Sequence, residues 1–166
     1  MAVLENNMWL IILLITSIIC NIVYYLIRRR DKFYINGMSF KESLDLINLP
    51  IVTFEYEDKK LNLILDTGSD DSFIDPECIK DFNLPLKEVT TSIGTGNGTI
   101  TSSGIVELNI KYKNTTYNNL FILSDLSGAF DRLKKERGIE VHGILGSIFF
   151  TRYKYKLDFK NKLAYT

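Results

Sequence analysis

At residues 63–72 the chain reads Leu63-Ile64-Leu65-Asp66-Thr67-Gly68-Ser69-Asp70-Asp71-Ser72. Three large apolar residues run directly into a carboxylate, a hydroxyl and a glycine, which is typical of a buried strand that stops at a tight turn. A carboxylate at a buried strand end must find hydrogen bonds or hold a proton, so Asp66 is a candidate for acid–base chemistry. A common side-chain-to-backbone turn would give the same pattern, so Asp-Thr-Gly alone does not decide between the two interpretations.

The length of 166 residues and the apolar content of 46% suit one folded domain with its own core. Acidic and basic residues balance at 20 each, which argues against a nucleic-acid partner. Cys20 lies in an apolar run and Cys78 in the polar part of the chain, so an intramolecular disulfide is not expected. His142 is the one histidine and the cysteines are not clustered, so we expect no metal site and no cofactor.

Residues 8–27 contain no charged side chain and read MWLIILLITSIICNIVYYLI. About 20 such residues cross a bilayer as a helix, so we expect a single transmembrane helix after a short tail at residues 1–7. A secretory signal peptide would have basic residues before the apolar run, where this chain has Glu5. The positive-inside rule places the rest of the chain in the cytoplasm, because basic residues follow the run at positions 28, 29, 30 and 32.

Residues 28–49 are polar and mixed, and we predict a juxtamembrane linker there. Ser39 and Glu42 have the spacing of a capping box, so this linker should contain a short helix that ends near Ile47, before Pro50. The folded domain is then expected at residues 50–166.

The domain has the pattern of many short strands. Alternating or β-rich runs occur at residues 51–56, 61–65, 104–111, 116–123, 153–159 and 163–166. Helical character is expected over Ser127–Arg137, which a Gly138 cap would end, and in a turn after Gly146. The pattern predicts an all-β fold, a closed sheet or barrel with one or two short helices.

Residues 89–100 read VTTSIGTGNGTI. Threonine, valine and isoleucine favour strands, and the glycines at positions 94, 96 and 98 favour a mobile hairpin tip. An ordinary surface hairpin would have the same pattern.

The order of these motifs resembles that of the retroviral-type, or retropepsin-like, aspartic proteases, including their cellular and bacterial relatives. The motifs are an apolar strand before Asp66-Thr67-Gly68-Ser69, a glycine-rich hairpin about 30 residues on, and Ile144-Leu145-Gly146 about 80 residues on. The run at 69–72 is similar to the Ala/Ser-Asp-Asp-Thr of retroviral enzymes. The resemblance covers residues 51–166 and implies a retropepsin-like closed barrel.

This resemblance implies a role for each residue of the motifs. Asp66 would be the catalytic aspartate, Thr67 and Gly68 would support it across a two-fold axis, and Ser69 would donate to its carboxylate. Ile144-Leu145-Gly146 would pack beneath this loop, and residues 93–100 would form a flap over the peptide. The residues that would meet the substrate are Asp70, Asp71, Ile93, Gly94, Thr95 and Gly96.

The chemistry implied needs two carboxyls that share one proton, so that one activates a water while the other protonates the scissile carbonyl. The chain contains one Asp-Thr-Gly, and Asp125-Leu126-Ser127-Gly128 is not a second. The other carboxyl would therefore come from a second copy in a homodimer, which anchoring in one membrane would favour. We expect a membrane-anchored, homodimeric aspartic endopeptidase acting on peptide or protein substrates.

The chain departs from the viral pattern at Ser147, where retroviral enzymes carry an arginine tied to the aspartate that matches Asp70. Arg152 is the nearest basic residue that could replace this arginine. The Ser127–Arg137 helix looks like an insertion, and relatives with serine at the Ser69 position tend to work at acidic pH. Two other interpretations stay open: a catalytically silent domain that dimerises or binds peptides at the membrane, and an anchored β-domain with a chance Asp-Thr-Gly.

Overall fold

The structure is a computed structural model that describes residues 2–80, 82, 84, 91–95, 98–102 and 104–166, with side chains at these positions except 2–7, 28–36, 91–95 and 98–102. The chain divides into two compact units, Met1–Gly37 and Met38–Thr166.

The first unit is a single helix, α1 (Ala2–Asn36). Its apolar stretch Met8–Ile27 is 20 residues long and could cross a membrane by its length and composition. The helix already includes the residues from Ala2 that we predicted as a tail, and it continues through residues 28–36 of the predicted linker. It ends at Gly37, whose φ of 82° is in the left-handed region that favours glycine.

The second unit contains ten strands and three α-helices among the described residues. The strands are β1 (Ile51–Tyr56), β2 (Lys59–Leu65), β3 (Phe73–Ile74), β4 (Thr91–Thr95), β5 (Gly98–Ser102), β6 (Gly104–Tyr112), β7 (Thr115–Leu123), β8 (Gly143–Leu145), β9 (Lys156–Asp158) and β10 (Leu163–Tyr165). The helices are α2 (Phe40–Ile47), α3 (Ser127–Arg137) and α4 (Ser147–Tyr153), with a 3₁₀ turn at Pro76–Cys78.

Six strands form the closed barrel that the sequence predicts, in the order β1-β2-β8-β3-β7-β6. The β1–β2 and β6–β7 pairs are antiparallel hairpins, and the Glu55–Lys111 pair between β1 and β6 closes the barrel. Along β2 the side chains of Leu61, Leu63 and Leu65 are at most 2% exposed. This period of two is that of a strand with one face in the core, so β2 carries its apolar residues inward up to the start of the next loop.

Strand β8 determines where that loop lies. It runs parallel to β2, with Ile144 opposite Ile64, and antiparallel to β3, with Ile144 opposite Phe73. It therefore lies between the two strands that residues 66–72 connect. A Cβ on Gly143 would lie 2.4 Å from the carbonyl oxygen of Phe73, so this close approach of β3 to β8 requires glycine.

Helix α2 begins at the predicted capping box, in which Ser39 and Glu42 bond each other's backbone N–H. It is part of the folded unit, because the Phe40 side chain is 2% exposed and its ring lies 5.4 Å from that of Phe159. Hydrogen bonds from Lys162 and Lys41 lower the pKa of Asp45 on this helix to about 2. The boundary between the units thus lies at Gly37, whereas the sequence predicts it at Pro50.

The C-terminal elements differ from the prediction at one point. We expected a strand over residues 153–159, but Tyr153 is the last residue of α4, and β9 begins at Lys156. The Tyr153 ring lies 5.0 Å from that of Tyr117 and 5.2 Å from that of Phe149, and these core contacts outweigh the alternating pattern. Helix α3 matches the prediction, including its end at Gly138, where φ is 67°.

Candidate active site

Residues 66–72 form a loop that is held by backbone hydrogen bonds at both ends. At its start the Asp66 N–H donates to the Leu145 carbonyl at 3.0 Å. At its end the Ser72 carbonyl accepts a hydrogen bond from the Ile122 N–H of β7 at 2.9 Å. Because both bonds reach strands of the barrel, the position of the Asp66 carboxyl is set by the sheet.

The N-terminus of α4 lies beneath this loop. The first N–H groups of a helix have no partner within the helix, and here the loop supplies acceptors. The Ser147 N–H donates to the Ser69 carbonyl at 2.7 Å, and the Ile148 N–H donates to the Asp70 carbonyl at 3.2 Å. The motif at residues 144–146 therefore packs under the loop, as the resemblance implies.

Gly146 allows the loop at residues 66–72 to come this close to the N-terminus of α4. A Cβ at this position would lie 2.2 Å from the carbonyl oxygen of Asp71 and 2.6 Å from that of Asp70. The Gly146 N–H donates to the hydroxyl of Ser72 at 3.1 Å, and Ser72 is only 5% exposed. This role of Ser72 is not among those predicted from the motif. Its signal is a small hydroxyl residue at the end of the motif, where the retroviral pattern has threonine.

The Asp66 carboxylate is half-buried, and its Oδ1 accepts the N–H of Gly68 at 2.9 Å. A Cβ on Gly68 would lie 3.2 Å from that oxygen, so the turn favours glycine. Thr67 and Gly68, at the tip of the loop, are exposed. The surface next to the Asp66 carboxyl is therefore open in the single chain.

The resemblance implies that Ser69 donates to the Asp66 carboxylate, which stays a prediction, and in the single chain the Ser69 hydroxyl has a different acceptor. The Ser69 hydroxyl donates to the Asp71 carbonyl at 2.8 Å. Serine commonly makes such a bond to a backbone group two residues away, and the bond here satisfies a carbonyl inside the loop.

Asp70 is exposed, and the Ser147 hydroxyl points to its Oδ1 at 3.5 Å, which is the long limit of a hydrogen bond. Arg152 does not replace the viral arginine, because its Nη1 donates to the Asn118 carbonyl on β7 at 3.4 Å. Asp70 thus keeps its carboxylate largely available to solvent or to a ligand.

Within the predicted hairpin, the described residues Thr91–Thr95 and Gly98–Ser102 form a separate two-stranded sheet of β4 and β5. Ile93 pairs with Ile100, Gly94 with Thr99 and Thr95 with Gly98. Gly96, the fourth predicted substrate contact of this hairpin, lies outside the described residues. A role for the hairpin as a flap over the loop stays a prediction.

His142 fixes the other end of β8. Its Nδ1 accepts the N–H of Asn62 on β2 at 2.9 Å, and its carbonyl accepts the N–H of Asp75, after β3, at 2.9 Å. Burial lowers the pKa of His142, so its neutral form is favoured, and an accepting Nδ1 requires that form. The sequence marks His142 only as a lone histidine, with no sign of these contacts.

A cavity of about 270 Å³ borders His142, and Cys78 lies on its wall. Burial raises the pKa of Cys78 to about 12, so the group is a thiol and not a thiolate. Within the described residues no group of three or more His, Cys, Asp or Glu side chains is arranged to hold a metal ion.

The closed barrel, with an Asp-Thr-Gly loop that rests on a glycine ahead of a short helix, is the fold of a retropepsin-like aspartic protease. Residues 52–149 match the family model described as aspartyl protease, which spans more than half of the chain. The chain therefore belongs to this aspartyl protease family.

Two solved structures show the same fold. The EIAV protease, in complex with the inhibitor HBY-793, is 22% identical, with a TM-score of 0.51 over 69% of this chain and 96% of that chain. The retroviral protease-like domain of Ddi1 from Leishmania major is 11% identical, with a TM-score of 0.52 over 70% of this chain and 86% of that chain. A comparison with curated proteins gave no match.

Proposed function

We propose that the protein is a membrane-anchored aspartic endopeptidase that acts as a homodimer, with one Asp66 from each copy in the catalytic pair. The observation that carries this proposal is that the Asp66 loop has a fixed base and an exposed tip. Its base is fixed by hydrogen bonds to β7, β8 and α4, while its tip at Thr67 and Gly68 is exposed. A rigid loop with an open tip suits a site that a second molecule completes.

The second copy is needed by the chemistry. Two carboxyls at about 3 Å cannot both be charged, so they share one proton. The ionised Asp66 would take a proton from a water, which attacks the scissile carbonyl carbon, while the protonated Asp66 gives its proton to the carbonyl oxygen. The chain contains one Asp-Thr-Gly, so a pair requires two chains.

The peptide would lie across the paired loops. Asp70 and Asp71 would meet its backbone from below, and residues 93–96 of the β4–β5 hairpin would cover it from above. The open carboxylate of Asp70 supports this assignment, because its Ser147 contact is weak.

The anchor would be the Met8–Ile27 stretch of α1, whose side chains are all exposed and whose length suits a bilayer. Basic residues at positions 28, 29, 30 and 32 favour the cytoplasmic side for everything that follows. Two chains held in one membrane meet at a raised effective concentration, which favours the dimer.

The test is peptide cleavage by the purified full-length chain in detergent, across a series from acidic to neutral pH. Asp66→Asn should reduce cleavage to background while the circular dichroism spectrum stays unchanged. Asp125→Asn is a matched control, because Asp125 Oδ1 accepts the Ser127 N–H at 2.9 Å in the same kind of turn as Asp66 and Gly68. This control should keep full activity.

Equal cleavage by Asp66→Asn and wild type would refute the proposed chemistry. Peptide binding without cleavage by wild type at every pH would identify a silent peptide-binding domain of the same fold instead.

A further inference from the structure

The connection between α1 and the folded unit is a single residue. Helix α1 continues through residues 28–36, beyond the apolar stretch that ends at Ile27. Gly37 follows, and Met38 already belongs to the second unit. Within the described chain there is thus no extended linker at this junction.

Met38 is held firmly in the folded unit. Its N–H donates to the Thr53 hydroxyl at 2.6 Å, and its carbonyl accepts the Thr53 N–H at 2.8 Å. The side chains of Met38 and Phe40 are 4% and 2% exposed. Separating this segment from the barrel would expose both side chains to water, so it cannot serve as a flexible tether.

These contacts limit how far the active site can be from the membrane. Residues 28–36 of a helix span about 13 Å, and Gly37 adds at most about 4 Å. A unit the size of Met38–Thr166 has a radius of gyration of about 14 Å and a diameter of about 35 Å. Any point of the unit therefore lies within about 50 Å of the bilayer edge. This limit depends on the length of the connection and holds for every orientation of the domain.

We infer that the substrates are proteins anchored in the same membrane, cut in a segment that emerges close to its surface on the side of the protease domain. The inference rests on the proposed function, both the proteolysis and the anchor. A short, ordered connection keeps the active site close to the membrane surface, where such substrate segments are concentrated. Peptide segments that are held farther from the membrane are out of its reach. It also disfavours release of the enzyme by its own cleavage, because residues 31–36 and Phe40–Ile47 are helical and a protease cleft binds extended peptides.

The test uses vesicles that contain the full-length enzyme and one of two single-pass reporters. Both reporters carry the same peptide, which is first shown to be cleaved in detergent. In the near reporter the peptide begins about 10 residues after the span. In the far reporter a rigid helical spacer of about 80 residues, or about 120 Å, stands between the span and the peptide. Wild type should cleave the near reporter at least on the order of 100-fold faster than the far one.

A second enzyme carries the same spacer after Gly37 and should show the reverse preference. It must cleave the soluble peptide in detergent at the wild-type rate, which shows that its domain is folded. Equal cleavage of the two reporters by wild type would overturn the inference while leaving the protease proposal intact. Failure of wild type to cleave the soluble peptide would overturn the protease proposal itself, and with it the inference.

Discussion

The backbone N–H of Asp66 donates to the carbonyl of Leu145 at 3.0 Å, so the strand that ends in the candidate catalytic carboxyl is bonded at that residue to the strand beside it. The next residue after Leu145 is Gly146, on which the loop rests. The position of the Asp66 carboxyl therefore depends on residues about 80 positions away in the sequence.

Gly146→Ala tests this support. The added Cβ would lie 2.2 Å from the Asp71 carbonyl oxygen, and neither backbone can move without breaking loop hydrogen bonds. We expect a loss of about 1–3 kcal/mol in the free energy of unfolding, together with a loss of cleavage. Chemical unfolding followed by near-ultraviolet circular dichroism measures the free energy of unfolding, and the peptide assay measures cleavage.

The matched control is Gly128→Ala, because a Cβ there meets nothing within 4 Å. It should leave cleavage unchanged and leave stability unchanged or slightly raised, since alanine favours a helix more than glycine does. If Gly146→Ala and Gly128→Ala have the same stability and the same cleavage rate, the close contact between Gly146 and the loop is not the reason that position 146 requires glycine.

Ser72→Ala removes the hydroxyl that accepts the Gly146 N–H at 3.1 Å. Since this N–H is buried, leaving it unpaired should cost about 1–3 kcal/mol of stability. Ser72→Thr keeps the hydroxyl, and the retroviral enzymes that the motif resembles carry threonine there. Thermal unfolding of the two variants should show the larger loss for alanine; equal losses would mean that the hydrogen bond contributes little.

The pH dependence of stability tests His142. Burial holds its pKa below the ordinary value of 6.5, so the unfolded chain takes up this proton more readily than the folded chain. Stability should therefore fall as the pH drops from about 6.5 towards the folded-state pKa, and be retained above that range. An enzyme with an acidic optimum would work where this group destabilises the fold.

His142→Asn is the comparison, because the amide Oδ1 can accept the Asn62 N–H and does not titrate. The free energy of unfolding should decline more steeply with falling pH in wild type than in this variant. Glu140 is present in both proteins, and its pKa is lowered chiefly by the hydrogen bond from Lys134, which the substitution leaves in place. Parallel curves would show that His142 does not bind a proton on unfolding.

Much of the fold could be predicted because its signals are local. The alternation in β1 and β2, the capping box at Ser39 and Glu42, and the glycine that ends α3 each lie within a few residues of the structure they specify. The Asp66 loop could be assigned to a family for the same reason, since its motif is contiguous.

What could not be predicted depends on contacts between distant segments. The helix at residues 40–47 has the polarity of a linker, and its contacts with distant parts of the chain, such as the packing of Phe40 in the core, place it in the domain. Tyr153 alternates like a strand residue but packs on Tyr117 as the end of a helix. The bonds of Ser72 to Gly146 and of His142 to Asn62 join residues 74 and 80 positions apart, which no local pattern signals.

The central claim is that each active site takes one carboxyl from each of two chains. The most direct measurement is cleavage by dimers assembled from wild type and Asp66→Asn, co-expressed in equal amounts and purified together. If both carboxyls are required, random pairing leaves about one quarter of the dimers active, so the rate per chain should be about one quarter of the all-wild-type rate. A rate of about one half would mean that each Asp66 acts without its counterpart, which would contradict the account.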